Sequence, residues 1–535
     1  MLPPPAIRGV FRTDERARAA YAEGAGIYRI VPLGVCLPAD RDDVVSLVRW
    51  ASDHRVPLVP RGAGSAMGGG NVGEGVVVDL TRLPRLLEVR PAERVAVTSA
   101  NVTLTELNLA ADPHRLRLPP DPSSGRFATL GGMVSTNAAG ARTVRYGSVR
   151  RWVAGLELVT ATGEVLELRR GGGGGSSATV RRFETEVAPA ITAAHGLVAA
   201  RFPRTRKNSS GYALEDWLAS RDLLDLVIGA EGTLGFVTRV TWRLDAQPAH
   251  RAGLRVELRS LDDLVKVVAA LLACEPSAVE LLDRTFLDLI RHTEVGEGLA
   301  AAEAILLVEI ERDDARSLRE AVARASDGER HWAAAVDTAL AAASSARLWE
   351  LRHAASPILA GLPEDRRSLQ VIEDACVPLD HMGEYIRIVR RVTSARDIAA
   401  VIFGHAGDGH VHVNLLPKIG RAGWEQGVAG VLEEVSDAVV RLGGTPSGEH
   451  GDGRLRAALL QRVYGDEIVG LFRRLKQAFD PLGILAPGVI LPSGEPAIGR
   501  LKVGREAAPI PDDIAHGLRE IERGAGYARC RLELA

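Results

Sequence analysis

Cysteine is rare in this chain of 535 residues, and its 4 copies, Cys36, Cys274, Cys376 and Cys530, lie far apart with no C-x-x-C spacing. Neither an iron-sulfur cluster nor a cysteine-rich zinc site assembles from such positions, so any electrons handled here need a different carrier. Long hydrophobic runs are also missing. Nowhere do roughly 18 uninterrupted apolar residues occur, the length a membrane-spanning helix requires. The opening MLPPPAIRGVFRTDERARAAYAEGAG has no apolar core of the secretory type. The expected localisation is cytoplasmic, with peripheral attachment to the inner face of a membrane left open. Excess charge is absent too: the net charge is -2, so no basic field draws in nucleic acid.

What is present is apolar residue enough, 46% of the total, for more than one core. At about 100 to 200 residues per domain the length implies roughly two to four domains. Beyond Leu37, the segment DRDDVVSLVRWASDH places Val44, Val45, Leu47, Val48 and Ala51 on one helical face and feeds a strand at Val56 to Val59. Strand-like runs follow at Gly75 to Leu80, Val95 to Ser99, Gly155 to Thr160 and Val165 to Leu168, the last two joined by a turn at Ala161-Thr162-Gly163-Glu164. Gly171 to Gly175 lacks a strand-to-helix context and reads as a flexible surface loop.

After Gln247-Pro248-Ala249 a second alternation begins: helix SLDDLVKVVAALLA, strand AILLVEIE, helix DDARSLREAVARA and strand LQVIEDACV. A helix EYIRIVRRV, a strand AAVIFGH and a helix VAGVLEEVSDAVVRL follow. The predicted domains are residues 1–248, 249–490 and a charged tail, 491–535, with one short helix at DIAHGLREIERGA.

Three glycine-rich segments punctuate the first half. Pro60-Arg61-Gly62-Ala63-Gly64-Ser65, followed by Gly68, leaves the strand VPLV as a loop whose backbone N–H groups are unhindered, which suits a pyrophosphate. Pro119-Pro120-Asp121-Pro122-Ser123-Ser124 precedes ATLGGMVSTNAAG, where a flat ligand fits against backbone, and Glu231-Gly232-Thr233-Leu234-Gly235 is the third. With RYG at Arg145 to Gly147, the order and spacing of these segments resemble the FAD-binding domain of the vanillyl-alcohol oxidase superfamily. The resemblance implies a two-subdomain α+β flavin fold distinct from the Rossmann type. It implies that Arg61 to Ser65 contacts the pyrophosphate, that Thr129, Gly132, Ser135 and Asn137 line the flavin, and that Arg145 is a weaker cofactor candidate. The position matching the histidine that often carries the flavin covalently in that family is Ser65, so FAD is expected to be bound non-covalently.

The second half carries FGHAGDGHVHVN, with His405, His410 and His412 among the chain's 13 histidines, and then Gly448-Glu449-His450-Gly451. Imidazoles clustered with a carboxylate are what a divalent metal needs, and Gly407 and Gly409 let the chain turn back so that His405 and His412 face one ion. By period-2 alternation His410 and His412 share a strand face. GHAGDG, the following H-V-N, SGEHG and FDPLGILAPG resemble the C-terminal domain of FAD-linked 2-hydroxy-acid dehydrogenases acting on D-lactate, D-2-hydroxyglutarate or glycolate.

That resemblance implies a ferredoxin-like substrate domain with an antiparallel sheet and a C-terminal helical segment. It assigns His405, His412 and Glu449 as ligands of zinc or manganese and His450 as the base that takes the hydroxyl proton while hydride passes from C2 to flavin N5. Arg352 and Ser356, four apart and so on one helical face, are implied to bind the substrate carboxylate, with Asn414 a further contact. His410 stands where the commoner pattern has asparagine; of competing as a metal ligand and hydrogen-bonding a neighbour, the second is expected. Arg367 stands where some members carry a lysine for a second carboxylate. The expected partners are a small 2-hydroxy acid and an external acceptor, either quinone, an electron-transfer flavoprotein, an iron-sulfur partner or oxygen; a homodimer is left open. The competing readings are a non-redox flavoenzyme of the alkyl-dihydroxyacetone-phosphate synthase type and a flavin-binding electron-transfer subunit.

Overall fold

The computed structural model describes residues 3–172, 175–296, 299, 302–329 and 332–535. Gly173 and Gly174 of the expected glycine loop lie outside the described residues. Three sheets organise the rest. The first holds Val10–Arg12, Gly34–Leu37, Val76–Asp79 and Leu58–Arg61 in that order, parallel except for the first pair. Val76, Val77 and Val78 are fully buried, as a strand covered on both faces requires. One cover is the helix Arg41–His54, opened by Asp40 accepting from the Asp43 N–H and closed by Arg55 in the left-handed region.

The second sheet is antiparallel, in the order Leu87–Arg90, Val95–Ser99, Phe236–Arg243, Val153–Val159, Val165–Arg169. Its last two strands form the expected hairpin, with Val159 opposite Val165 and Gly163 at φ +75° in the turn. The helix Leu130–Thr136 packs against this sheet so closely that a Cβ on Gly131 would stand 2.6 Å from Ala100 Cβ.

The third sheet has seven antiparallel strands, ordered Ala333–Ala339, His250–Leu258, Ala304–Arg312, Ala278–Asp283, Ala399–His405, His410–Leu416, Ala375–Cys376. Leu306 and Val308 join the core under the helices Leu264–Leu272, Ala315–Glu329 and Met382–Ser394, whereas Ile305 and Leu307 join a smaller core with Phe286, Leu351 and Leu359 on the opposite face. The expected strand over LQVIEDACV shrinks to Ala375–Cys376. Glu373 and Asp374 leave the ladder because their carboxylates are committed to histidines and Arg456.

The tail is part of the fold. Its helix Asp512–Arg523 buries Ile514 and Leu518 against Ala20, Tyr21, Val59 and Val77 behind the first sheet. Charged pairs join the third sheet to the glycine-rich half. Arg142 bridges Asp121 and Glu309, and Arg117 and the Tyr146 hydroxyl both donate to Glu311.

Burial works against the Glu311 carboxylate, but Arg117 and Tyr146 outweigh it and hold its pKa at about 2 against 4.5 when free. A group with a depressed folded pKa stabilises above its unfolded value and loses that contribution as pH falls through the folded one, here from 4.5 toward about 2. The implied contribution at neutral pH is ~3 kcal/mol. Glu311→Gln is expected to lower Tm at pH 7 by several degrees, with the gap to the unmodified protein closing over that acid window in thermal scans.

Candidate active site

A cavity of about 1250 Å³ runs between the glycine-rich half and the third sheet. Pro60 to Ser65, Asp121, Ser124, Thr129, Gly132, Ser135, Glu231, Gly232 and Gly235 wall one part, and Arg352, Ser356, His405, His412, Asn414, Glu449 and His450 wall another. Among the described residues, the N–H groups of Ala63, Gly64, Ser65 and Ala66 donate to no other backbone or side-chain group. A Cβ on Gly62 would lie 2.3 Å from Thr129 Oγ1, so the two segments meet only because position 62 lacks one. A cradle of free N–H groups against small residues fits a dinucleotide pyrophosphate.

Four of the expected cofactor residues do not wall this cavity. Gly68 packs its backbone on Asp452 and accepts from the Arg454 N–H. Asn137 caps the helix Leu130–Thr136 and accepts from the Arg150 N–H. Arg145 donates to the Glu311 carbonyl, and Pro120 is buried beside the wall. Arg61 differs from expectation in another way. Its buried guanidinium donates to the Glu23 and Asn71 carbonyls and lies over the Tyr21 ring, so it braces the loop from behind. Glu231 likewise faces protein, accepting from the Asp452 and Gly453 N–H groups and thereby holding the turn that carries Glu449 and His450.

At the other part of the cavity the hairpin Ala399–His405 and His410–Leu416 reverses through Ala406–Asp408 and Gly409, which adopts φ +70°. His405 pairs directly with His410, and His412 lies on the same strand face as His410. His405 Nε2 lies 3.2 Å from His412 Nε2, and Glu449 Oε1 lies 3.1 Å from the first and 3.4 Å from the second. The other ring nitrogens decide the tautomers. His412 Nδ1 faces the Glu373 carbonyl at 2.9 Å, which only accepts, so Nδ1 carries the proton and Nε2 a lone pair. His405 Nδ1 likewise donates to the Glu280 carboxylate at 2.5 Å, and although burial works against a charged ring, Glu280 and Glu449 raise its pKa, so Nε2 carries a proton toward Glu449 when no metal is bound. A divalent cation can take the place of that proton, joined by two imidazole nitrogens and a carboxylate oxygen, so the donor set fits a divalent metal.

Charge around the cluster points the same way. Five buried carboxyl groups, Glu280, Glu373, Asp374, Asp408 and Glu449, face three buried cations, Lys207, Arg352 and Arg456. Burial opposes ionisation of Glu449, yet Lys207 and His405 hold its carboxyl well below the usual range. Glu280 is held at about 2 by His405 and Arg352 despite burial. Burial also works against a charged His450, but Glu373, 2.7 Å from Nδ1, and Asp374 push it up to about 10. His410 goes the other way, down to about 3, through burial and the nearby Lys207, and its Nε2 is bonded to Asp374 at 2.9 Å.

Sequence reasoning missed four groups that set this geometry. Lys207 donates to Glu449 Oε2 at 2.8 Å and to the Gly140 carbonyl at 3.0 Å. Glu280 accepts from Arg352 Nε at 2.7 Å while holding His405. Glu373 and Asp374 hold His450, His412 and His410. The acidic pairs left a signal, since charged residues interrupt the otherwise apolar strands AVELLD and LQVIEDACV; Lys207 left none. Arg367 stays outside the cavity wall, bonded to Glu364 and Glu522.

The chain is similar to known proteins. Residues 32–169 match the sequence profile of the FAD binding domain, and residues 247–490 match that of the FAD linked oxidases, C-terminal domain. The chain is 29% identical over 473 residues to the glycolate oxidase subunit GlcD of Bacillus subtilis, covering 86% of this chain and 89% of that one. It is 31% identical over 467 residues to a D-lactate dehydrogenase of Archaeoglobus fulgidus (85% and 91%). It is 30% identical over 467 residues to a D-2-hydroxyglutarate dehydrogenase of Xanthomonas citri (85% and 89%). Its fold is similar to a 4-ethylphenol oxidase from Gulosibacter chungangensis, with TM-score 0.64 at 16% identity over 90% of this chain and 94% of that one. It also resembles an alkyldihydroxyacetonephosphate synthase, with TM-score 0.61 at 17% identity over 89% and 83%. With an FAD-binding domain ahead of this C-terminal domain, the chain belongs to the FAD-linked oxidases and is an FAD-dependent oxidoreductase.

Proposed function

We propose that the protein oxidises a D-2-hydroxy acid to the 2-oxo acid, with FAD held non-covalently. The observation that carries this reading is the triangle of His405 Nε2, His412 Nε2 and Glu449 Oε1, next to His450 and Arg352 on one cavity wall. Arg352 gives one N–H to Glu280 and keeps the rest of its fork for a carboxylate. Ser356 and Asn414 wall the same region and supply hydroxyl and amide groups to orient the acid. His450, fixed through Nδ1 by Glu373, turns Nε2 toward Glu449, 3.8 Å from Oε1. From there it takes the hydroxyl proton.

A divalent cation, zinc or manganese, held by His405, His412 and Glu449 would lower the pKa of a bound hydroxyl, as metals do for water. Its charge would also offset the carboxylates that favour protonated His450, which would leave Nε2 free to accept. Bound FAD would supply the acceptor for the hydride leaving C2.

The following measurements check this. Anaerobic mixing of the metal-replete holoenzyme with D-lactate, glycolate, D-malate and D-2-hydroxyglutarate is expected to bleach the flavin band near about 450 nm with at least one acid. His450→Ala is expected to slow that bleaching by about 100-fold or more. A flavin that none of the acids reduces would sink the reading. Arg352→Lys, which loses the planar fork, is expected to raise KM about 10- to 100-fold with a smaller change in kcat. Chelation is expected to abolish bleaching and added zinc or manganese to restore it. Glu280→Gln, which loosens His405, is expected to weaken metal binding about 10- to 100-fold in competition against a chromophoric chelator; an unchanged affinity would remove Glu280 from the metal site.

A further inference from the structure

The tail contributes a carboxylate where the cavity meets a cluster of cations. Glu522 ends the helix Asp512–Arg523 and walls the cavity. Behind it lie three buried cations, Arg367, Lys502 and Arg519. Glu522 bonds Arg367, and its Oε2 lies 3.4 Å from Lys502 Nζ and 3.5 Å from Arg519 Nη1. The cluster is not saturated by it: Arg367 Nε and Arg519 Nη1 are buried without a hydrogen-bond partner. Of the other carboxylates near the cluster, Glu364 is mostly exposed and the buried Glu23 is paired with Arg29.

Position gives the cluster its meaning. Arg367 precedes Ser368, whose hydroxyl donates to Asn414 Oδ1 at 3.1 Å. Ser368, Asn414 and Glu522 all wall the cavity, whereas Arg367, Lys502 and Arg519 do not. Glu522 therefore stands between the substrate side of the cavity and a set of donors with capacity left for an anion. The helix that bears it packs on Ala355–Gly361, which carries Ser356, so the tail is fixed at this wall. Of the arginines walling the cavity besides Arg61 and Arg352, Arg126 and Arg523 are exposed, and the remaining two are shared with carboxylates. Arg142 is shared by Asp121 and Glu309, and Arg251 by Glu309 and Glu311. The wall beside Arg352 carries Trp349, Pro357, Leu359, Ala360 and Phe403 together with the polar Glu350, His353 and Ser356.

We propose that Glu522 is a specificity-determining residue that fills an anion subsite formed by Arg367, Lys502 and Arg519, so that the protein selects monocarboxylic 2-hydroxy acids with short apolar side chains over dicarboxylic ones. This rests on the 2-hydroxy-acid reading of the site. A second carboxylate on the substrate meets the charge of Glu522 in place of the cations behind it, and leaving a charge desolvated and unpaired is costly. Removing the Glu522 carboxylate turns the same place into a subsite of net positive charge.

The test compares kcat/KM of the holoenzyme for D-lactate and D-2-hydroxyglutarate in the unmodified protein, Glu522→Gln, Glu522→Ala and Glu522→Ala with Arg367→Met. The unmodified protein is expected to prefer D-lactate. Glu522→Gln and Glu522→Ala are expected to raise kcat/KM for D-2-hydroxyglutarate on the order of 10- to 100-fold, the worth of one charge-assisted pair, with little change for D-lactate. The added Arg367→Met is expected to erase that gain, which a merely loosened cavity would retain. A preference for D-2-hydroxyglutarate in the unmodified protein, or equal losses for both acids on changing Glu522, overturns the proposal. Binding separates this from the oxidation reading. If no acid reduces the flavin, the oxidation reading falls, and the rise in Tm with glutarate against butyrate decides the subsite. A glutarate-specific rise in Glu522→Gln alone supports it, and the same rise in the unmodified protein overturns it.

Discussion

The structure turns on one carboxylate shared between two halves of the chain. Glu449 Oε1 faces the imidazoles of the third-sheet hairpin, while Oε2 accepts from Lys207 and from the Gly140 N–H in the glycine-rich half. A buried charge survives only when its partners are in place, so docking of the halves and formation of the ligand triangle are one event. Glu231 adds to the same clamp by accepting the N–H groups of Asp452 and Gly453, and Asp452 in turn accepts from Ser210 and the Gly211 N–H. The turn SGEHGDG is thus tied by its backbone and by its side chains to segments more than two hundred positions earlier.

Much of this was legible in the residues. Apolar periodicity located the helix Arg41–His54, the hairpin Val153–Val159 with Val165–Arg169, and the hairpin bearing His405 and His412, because each is a local pattern with its own turn residues. The glycine segments marked the backbone that walls the cavity. Strands His250–Leu258, Ala278–Asp283 and Ala333–Ala339 were less visible. The first alternates buried Ala252, Leu254, Val256 and Leu258 with polar residues, but the last is rich in alanine, which carries little strand preference.

What escaped reading is the set of residues that act at a distance in sequence. Lys207, Glu280, Glu373 and Asp374 orient the histidines through contacts that no spacing rule encodes. The same holds for Arg61 and Glu231, whose motifs placed them at the cofactor while their side chains serve backbone carbonyls and N–H groups nearby. A motif locates a backbone; the direction of a side chain follows from which buried group lacks a partner. That distinction also separates His405 and His412, whose Nε2 atoms converge on Glu449, from His410, which is spent on Asp374.

The tail helix has a consequence for assembly. Its Ile514 and Leu518 complete the core behind strands Leu58–Arg61 and Val76–Asp79, and Tyr527 meets Phe127 across the cavity at 5.2 Å between ring centroids. During synthesis these residues emerge long after the segment Gly62 to Ser65. The wall of the cavity is therefore complete only when residues near position 530 arrive. Insertion of a large, flat cofactor is easiest before that closure, which gives the order of the chain a bearing on when the enzyme becomes loaded.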